Sequence, residues 1–220
     1  MVTMAIIAAC VGVYAWDISQ GAGATSGRSS RAADEFALWA PAVQFDGEWY
    51  RIFSTGFTHA GLMHIGFNMW ILWQIGQSLE GRFGSLTFGT LYVTGLLGGS
   101  LGAMVVEPTS SVVGASGAVF AIMGALVVLQ YMAGMNIFSS GLGRLLLLNV
   151  GITFLVPSIS KGGHFGGLAI GLVCGLALGL AQKQGKRSLA LVPIAIGAIG
   201  IAAFLGLIPA MDRAANMFLS

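Results

Sequence analysis

A serine between two glycines is the residue of this chain best suited to nucleophilic chemistry. Ser116 stands in the run Gly114-Ala115-Ser116-Gly117, directly before a long stretch of small and apolar residues. A serine hydroxyl is a weak nucleophile that needs an adjacent base, and histidine is the usual one. At a helix N-terminus the serine's own backbone N–H is free to stabilise an anion. We therefore interpret Ser116 as a candidate nucleophile for acyl transfer.

The three histidines of the chain stand at the heads of two apolar segments. His164 is the candidate base for Ser116; a packed histidine at a helix start is the alternative. His64 and Asn68, four residues apart, share a helix face and are candidate donors to the oxyanion of a tetrahedral intermediate. Interhelical hydrogen bonding is the alternative for Asn68. His59 is expected to point about 140° away from His64 on a continuous helix, and we favour a structural role for it.

A carboxylate that could orient the base has no obvious source. No Asp or Glu occurs between Glu107 and Asp212, a stretch that holds both Ser116 and His164. The residues therefore favour a Ser–His dyad over a Ser–His–Asp triad. In a dyad the histidine has to be held by packing, and Phe120, one turn after Ser116, is the candidate for that contact.

Small residues follow both the serine and the histidine at helical spacing. Faces of this kind let two helix backbones approach closely within a membrane. We expect the two faces to pair and to bring Ser116 and His164 together, while Gly114 and Gly117 let backbone approach the reacting carbonyl. The two faces are Gly117, Ala121, Gly124 and Ala125 in one segment, and Gly167, Gly171, Gly175 and Gly179 in the other.

The composition is that of a membrane protein. Charged residues make up 8% of the 220 residues, against roughly 25% in globular proteins, and 56% of the residues are hydrophobic. We predict an all-α, polytopic membrane helical bundle. The net charge of +2 is too small to indicate nucleic-acid binding. Cys10 and Cys174 lie in apolar segments and are interpreted as small packing residues rather than a disulfide.

Seven apolar segments are candidates for membrane helices. A helix needs about 20 apolar residues to cross the hydrocarbon core of a bilayer. We expect the seven segments to pack as one domain over residues 1–220. The first begins at Met1 with no basic region before it, so we interpret it as a membrane segment rather than a cleavable signal. The seven segments are approximately 3–19, 61–79, 86–106, 116–134, 144–157, 164–182 and 189–208.

The longest connection, residues 20–57, is glycine-rich at its start and aromatic later. A short amphipathic helix is predicted from Ser30, as N-cap, to Trp39, with Pro41 ending it. The aromatic side chains suit the headgroup level, so we expect this loop to lie in the membrane surface; a solvated loop is the alternative. These aromatic residues are Trp39, Trp49 and Tyr50.

Basic residues are divided evenly between the two sides of the predicted topology. The compact cluster of Lys183, Lys186 and Arg187 favours a cytoplasmic location for its own side.

Jointly, these motifs resemble those of the rhomboid family of intramembrane serine proteases. The family's Gly-x-Ser-Gly reads here Gly114 to Gly117, and its Gly-His-x-x-Gly reads Gly163 to Gly167. Its His-x4-His-x3-Asn pattern reads His59, His64 and Asn68. The similarity runs from about residue 47 to residue 179.

Two further elements extend the resemblance. Arg51 matches the Trp-Arg element of the family's first loop, although Tyr50 replaces the tryptophan. Glu80, with the arginine and glycine that follow, resembles the family's charged turn after the second helix. Phe120 stands where some members stack a tyrosine on the base, so a phenolic hydrogen bond is missing at that position.

The resemblance implies a function and a site. Members cleave single-span membrane proteins at a locally unwound stretch, with a small residue before the cut. The implied site has Ser116 and His164 as its dyad, with His64, Asn68 and the Ser116 backbone N–H stabilising the oxyanion. Supporting positions are Gly114, Gly117, Phe120, Gly167, His59 and Arg51.

The resemblance also implies an architecture and a setting. It predicts a six-helix core over about residues 3–182 and an additional helix over about 189–208. The location implied is a bacterial plasma (inner) membrane, with the site open to the extracytoplasmic side. The expected partners are membrane lipid and single-span substrates, with no nucleic acid, no metal and no cofactor.

Several other functions fit these residues less well. An inactive rhomboid relative that binds membrane clients would lack the serine or the histidine, and both are present. A transporter explains polar residues in membrane segments but not the Gly-Ser-Gly head. A zinc protease would carry His-Glu-x-x-His, which is absent. An aspartyl protease needs acids within the segments, and a soluble hydrolase needs glycine where Ala118 stands.

Overall fold

The protein is a bundle of helices joined by one structured loop. Its structure is a computed structural model that describes residues 1–22, 31–185, 193, 195–197 and 200. Short helices and a 3₁₀ turn at Thr55–Phe57 make up the first loop, and six longer helices form the body. In chain order the helices are α1 (Val2–Ser19), α2 (Arg31–Phe36), α3 (Ala40–Gln44), α4 (Arg51–Ser54), α5 (Leu62–Phe83), α6 (Ser85–Val106), α7 (Ser116–Met132), α8 (Leu142–Leu155) and α9 (Lys161–Lys183).

Several helices are suited to lipid rather than water. By length and composition, α1, α6 and α9 can cross a membrane, with mean hydropathies of 1.7, 1.4 and 1.8. The outer surfaces of the bundle carry large apolar side chains, such as Leu86 at 69% exposure and Leu155 at 81%. Such surfaces would be costly in water. The chain is therefore an integral, polytopic helical membrane protein.

The first six predicted segments each correspond to a helix, with shifted ends. Helix α5 continues to Phe83 and is ended by Gly84, which adopts a φ of +85°. Helix α9 begins at Lys161, so His164 lies in its first turn. The seventh predicted segment, 189–208, lies mostly outside the described residues, as does Ser30.

The prediction that Pro41 ends a helix in the first loop was wrong. Helix α2 ends at Phe36, and Pro41 lies in the first turn of α3, where the missing N–H of proline costs nothing. Between the two helices Leu38 pairs with Val112, each N–H donating to the other's carbonyl at 2.9 Å. The loop is thus hydrogen-bonded to the segment that leads into α7.

Helices α6, α7 and α9 form the closely packed centre of the bundle. A methyl group on Gly167 or Gly171 would overlap the backbone of Gly117 or Ala121. The predicted pairing of the two small-residue faces is therefore confirmed. Farther along the pair, a methyl on Gly175 would lie 2.7 Å from the Ala125 Cα.

Helix α6 adds a third glycine face, which was not predicted from the sequence. A methyl group on Gly99 would lie 2.9 Å from the Gly117 Cα and 3.0 Å from the Gly163 carbonyl oxygen. The three backbones meet at this point, one residue from both Ser116 and His164. The interpretation of Cys10 and Cys174 is also confirmed, because both are free thiols with no exposed surface.

Candidate active site

Ser116 is placed by the extended segment before it. The Gly114 N–H donates to the Thr55 carbonyl at 2.9 Å, and the Thr55 hydroxyl donates to the Val112 carbonyl at 2.7 Å. Helix α7 then begins at Ser116, with Ala115 as an N-cap that has no capping side chain. The first N–H groups of α7 consequently remain available to an anion at the helix N-terminus.

His64 lies against the turn that carries the serine. Gly114 has a φ of +123°, and a methyl group there would lie 2.7 Å from His64 Nε2 and 3.7 Å from Ser116 Oγ. The Ala60 backbone N–H donates to His64 Nδ1 at 3.3 Å. Since a backbone N–H only donates, the neutral ring carries its proton on Nε2. His64 thus directs an N–H toward the turn that contains Ser116.

His59 lies closer to His64 than the sequence analysis predicted. The 140° separation assumed one continuous helix, but α5 begins at Leu62 and His59 precedes it. The two imidazole rings therefore meet edge to face, 5.2 Å apart. His59 is buried, and its Nδ1 lies 3.4 Å from the Phe57 carbonyl. The structural role of His59 stays a prediction.

His164 is held at one face and at one edge of its ring. Phe120 stacks on it with ring centroids 4.2 Å apart and planes 24° from parallel, in agreement with the contact expected from the sequence. At the ring edge, His164 Nδ1 lies 2.7 Å from the Thr153 hydroxyl of α8. Within the described residues no carboxylate bonds to His164, and no hydrogen bond of 3.5 Å or less joins it to Ser116. Such contacts are often looser before substrate binds.

The acid nearest in sequence to the serine fixes a helix instead of the base. Glu107 follows α6 and accepts hydrogen bonds from the Ser160 hydroxyl and from the Lys161 N–H, the latter at 2.8 Å. Ser160 is the N-cap of α9 and accepts from the Gly163 N–H at 2.9 Å. Glu107 therefore positions His164 indirectly, by holding the head of its helix.

The remaining candidates have identifiable structural contacts. The Asn68 amide donates to the His64 carbonyl at 2.9 Å, and the side chain is buried. Arg51 donates to the carbonyls of Asp34 and Ala37 at 3.0 and 2.9 Å and pairs with Glu48. Arg51 thus holds the first loop together and has no contact with the candidate dyad.

Comparison with known proteins identifies the family. Residues 46–182, more than half of the chain, match the Rhomboid domain. The chain belongs to the rhomboid family. It is 35% identical over 160 residues to Rhomboid protease GluP of Bacillus subtilis, which covers 70% of this chain and 31% of that protein. It is 30% identical over 146 residues to Putative rhomboid protease YdcA of Bacillus subtilis, covering 64% of this chain and 72% of that one.

A fungal relative shows the same family relation. Rhomboid-type serine protease 2 of Emericella nidulans is 31% identical over 137 residues, 60% of this chain and 27% of that protein. This rhomboid therefore spans only about a third of the length of some curated relatives. Its motif-bearing region, predicted as 47–179, coincides with the matched domain.

Two contributors to the site were missed from the sequence. Thr153 is an ordinary residue in an apolar segment, and its contact with His164 depends on how α8 crosses α9. Gly99 belongs to a run of glycines in α6 at 95, 98, 99 and 102. That spacing was a usable signal of close helix packing.

Proposed function

We propose that this rhomboid is an intramembrane serine endopeptidase that uses Ser116 and His164 as a dyad. The observation that carries the proposal is the convergence of three helix heads at one turn. Ser116 begins α7, His64 of α5 packs against the glycine two residues before it, and His164 of α9 stacks one helical turn beyond it.

In the proposed reaction Ser116 Oγ attacks the scissile carbonyl. His164 Nε2 takes the hydroxyl proton as general base and later gives it to the leaving amine as general acid. Water then hydrolyses the acyl-serine with the same histidine as base. Ser116 is half-buried and His164 is 8% exposed, which limits the access of water to the reacting atoms.

The tetrahedral intermediate would be stabilised at the start of α7. The Ser116 N–H and the helix N-terminus favour an oxyanion there. The Nε2–H of His64 points toward the same turn and is the second donor that we propose. Asn68 is the third, since an amide has two N–H donors and the bond to the His64 carbonyl uses one.

We further propose the membrane topology and the substrate class. Six helices form the core over about residues 3–182, and residues 189–208 supply a seventh. The substrates are single-span membrane proteins whose scissile stretch unwinds, because a helical peptide bond is shielded by its own hydrogen bonds. The site opens to the extracytoplasmic side of a bacterial plasma membrane, where water is available for hydrolysis. The names of the relatives support the protease activity.

The test combines cleavage with chemical labelling. Protein purified in detergent is expected to cleave a model single-span substrate, and a fluorophosphonate probe is expected to modify Ser116. Ser116→Ala and His164→Ala should both abolish cleavage, because each removes one member of the dyad.

Ser111→Ala is the matched control, since this exposed serine lies five residues earlier, in the segment that leads into α7. It should retain both labelling and cleavage. Full activity of Ser116→Ala would overturn the nucleophile assignment. A folded wild-type protein that binds the substrate without cleaving it would instead indicate an inactive, client-binding member of the family.

A further inference from the structure

Among the residues that the structure describes, Thr153 is the only one in the second half of α8 with a buried side chain. Of the 14 residues of that helix, the buried ones are Leu142, Gly143 and Thr153, and Thr153 has no exposed surface. Its hydroxyl oxygen lies 2.7 Å from the Asn149 carbonyl oxygen and 2.7 Å from His164 Nδ1. A polar group this deeply buried has to satisfy its hydrogen bonds locally.

The two contacts together determine where the protons lie. A threonine hydroxyl has one proton to donate, and a carbonyl oxygen only accepts. If the Thr153 proton pointed at His164 Nδ1, two oxygens would face each other at 2.7 Å with no proton between them. Both contacts are hydrogen bonds only when Thr153 donates to Asn149 and accepts from a protonated Nδ1 of His164.

We propose that Thr153 is a positioning residue that fixes His164 in the Nδ1–H tautomer and leaves Nε2 free to act as the base. The proposal rests on the proposed function for its effect on rate. In the reaction, the Ser116 hydroxyl proton moves to Nε2, while the Nδ1 proton stays shared with the Thr153 oxygen. No proton passes to the threonine.

The role of Thr153 replaces that of the carboxylate in a triad. In a triad the acid holds the imidazole in the correct tautomer and orientation; here a neutral hydroxyl does both, and the stacked Phe120 adds a steric limit. At His64 the partner of Nδ1 is a donor rather than an acceptor, because the Ala60 N–H donates to His64 Nδ1. The Nε2 atom of His164 is thereby left as a hydrogen-bond acceptor, whereas the Nε2 atom of His64 is a donor.

The tautomer can be read directly by ¹⁵N NMR of the full-length protein labelled at histidine. The chain has three histidines, and His59→Gln and His64→Gln variants assign the signals. At alkaline pH, His164 is expected to show a protonated Nδ1 and a bare Nε2, and His64 the reverse. A wild-type spectrum with the proton on His164 Nε2 would overturn the proposal, whatever the variants do.

Activity measurements then separate positioning from packing. Thr153→Val keeps the shape but removes the hydroxyl, and should lower kcat by about 10–1,000-fold, less than the roughly 10⁴-fold known for a lost triad carboxylate. Its KM should stay within a few-fold, and His164 should lose its single tautomer. Thr153→Ser, the conservative control, should restore both rate and spectrum.

A Thr153→Val protein with wild-type kcat and an unchanged His164 spectrum would contradict the proposal. If Thr153→Val did not insert or fold, the wild-type and Thr153→Ser spectra would still decide the tautomer. Absence of cleavage and of fluorophosphonate labelling in the wild type would refute the proposed function alone, because the NMR result does not depend on turnover.

Discussion

At the scale of single residues, the two site histidines differ in what their Nδ1 atoms contact. A backbone N–H donates to His64, whereas the Thr153 hydroxyl oxygen accepts from His164 in the proposed arrangement. The same side chain can thus serve as hydrogen-bond donor at one position and base at the other. Environment decides which role is open to it, as with paired carboxylates in other enzymes.

The donor role of His64 leads to a kinetic prediction. His64→Ala should lower kcat and kcat/KM together by about 10–1,000-fold, because an oxyanion donor acts mainly in the transition state. KM for a single-span substrate should change little. Steady-state kinetics in detergent provide the measurement, and Gly66→Ala is a control on the same helix, at a position with open space around it. Unchanged turnover in His64→Ala would assign His64 a structural role.

Motif residues were predictable from the sequence because their types and spacings are constrained by chemistry. Ser116, His164 and His64 were singled out in this way, and the structure brings the segments that carry them together. Thr153 was not, because eleven residues and a change of helix separate it from His164. Its effect depends on one hydroxyl at a helix crossing, and a local pattern contains no information about that crossing.

At the scale of elements, close backbone packing between α7 and α9 is what holds the serine and histidine near each other. The regular spacing of glycines predicted this pairing, since the helical period is fixed. The ends of the short helices in the first loop were less predictable. Pro41 is compatible with both the end of one helix and the start of the next, and the bridge between Leu38 and Val112 decides between them.

Helix packing leads to a stability prediction with an internal control. A methyl group on Gly171 would overlap the Ala121 backbone, which cannot move aside as a side chain could. Gly171→Ala should therefore lower the free energy of unfolding by about 1–3 kcal/mol. Gly151→Ala, in α8 with nothing within 4 Å, should be neutral or stabilising by up to about 1 kcal/mol.

Thermal unfolding of both variants in one detergent makes the comparison. Equal melting temperatures for the two variants would mean that the backbones of α7 and α9 are not in contact at Gly171.

At the scale of the whole molecule, the candidate site lies at one end of the bundle. His164 is in the first turn of α9 and Lys183 ends that helix, so the 19 residue steps between them (183 − 164) correspond to about 28 Å. That distance matches the hydrocarbon thickness of a bilayer. The basic cluster that begins at Lys183 favours a cytoplasmic location for this end of the helix, in agreement with the proposed opening of the site to the extracytoplasmic side.

This orientation can be tested with reporter cysteines at the two ends. Ser110 lies just before the serine motif and Gln184 directly follows α9, and both are exposed. The native Cys10 and Cys174 have no exposed surface, so they should add little background. In intact cells an impermeant maleimide should label Ser110→Cys, and should label Gln184→Cys only after permeabilisation. The reverse labelling pattern would place the site at the cytoplasmic face. The proposed substrates would then have to present their cut sites on the cytoplasmic side of the membrane.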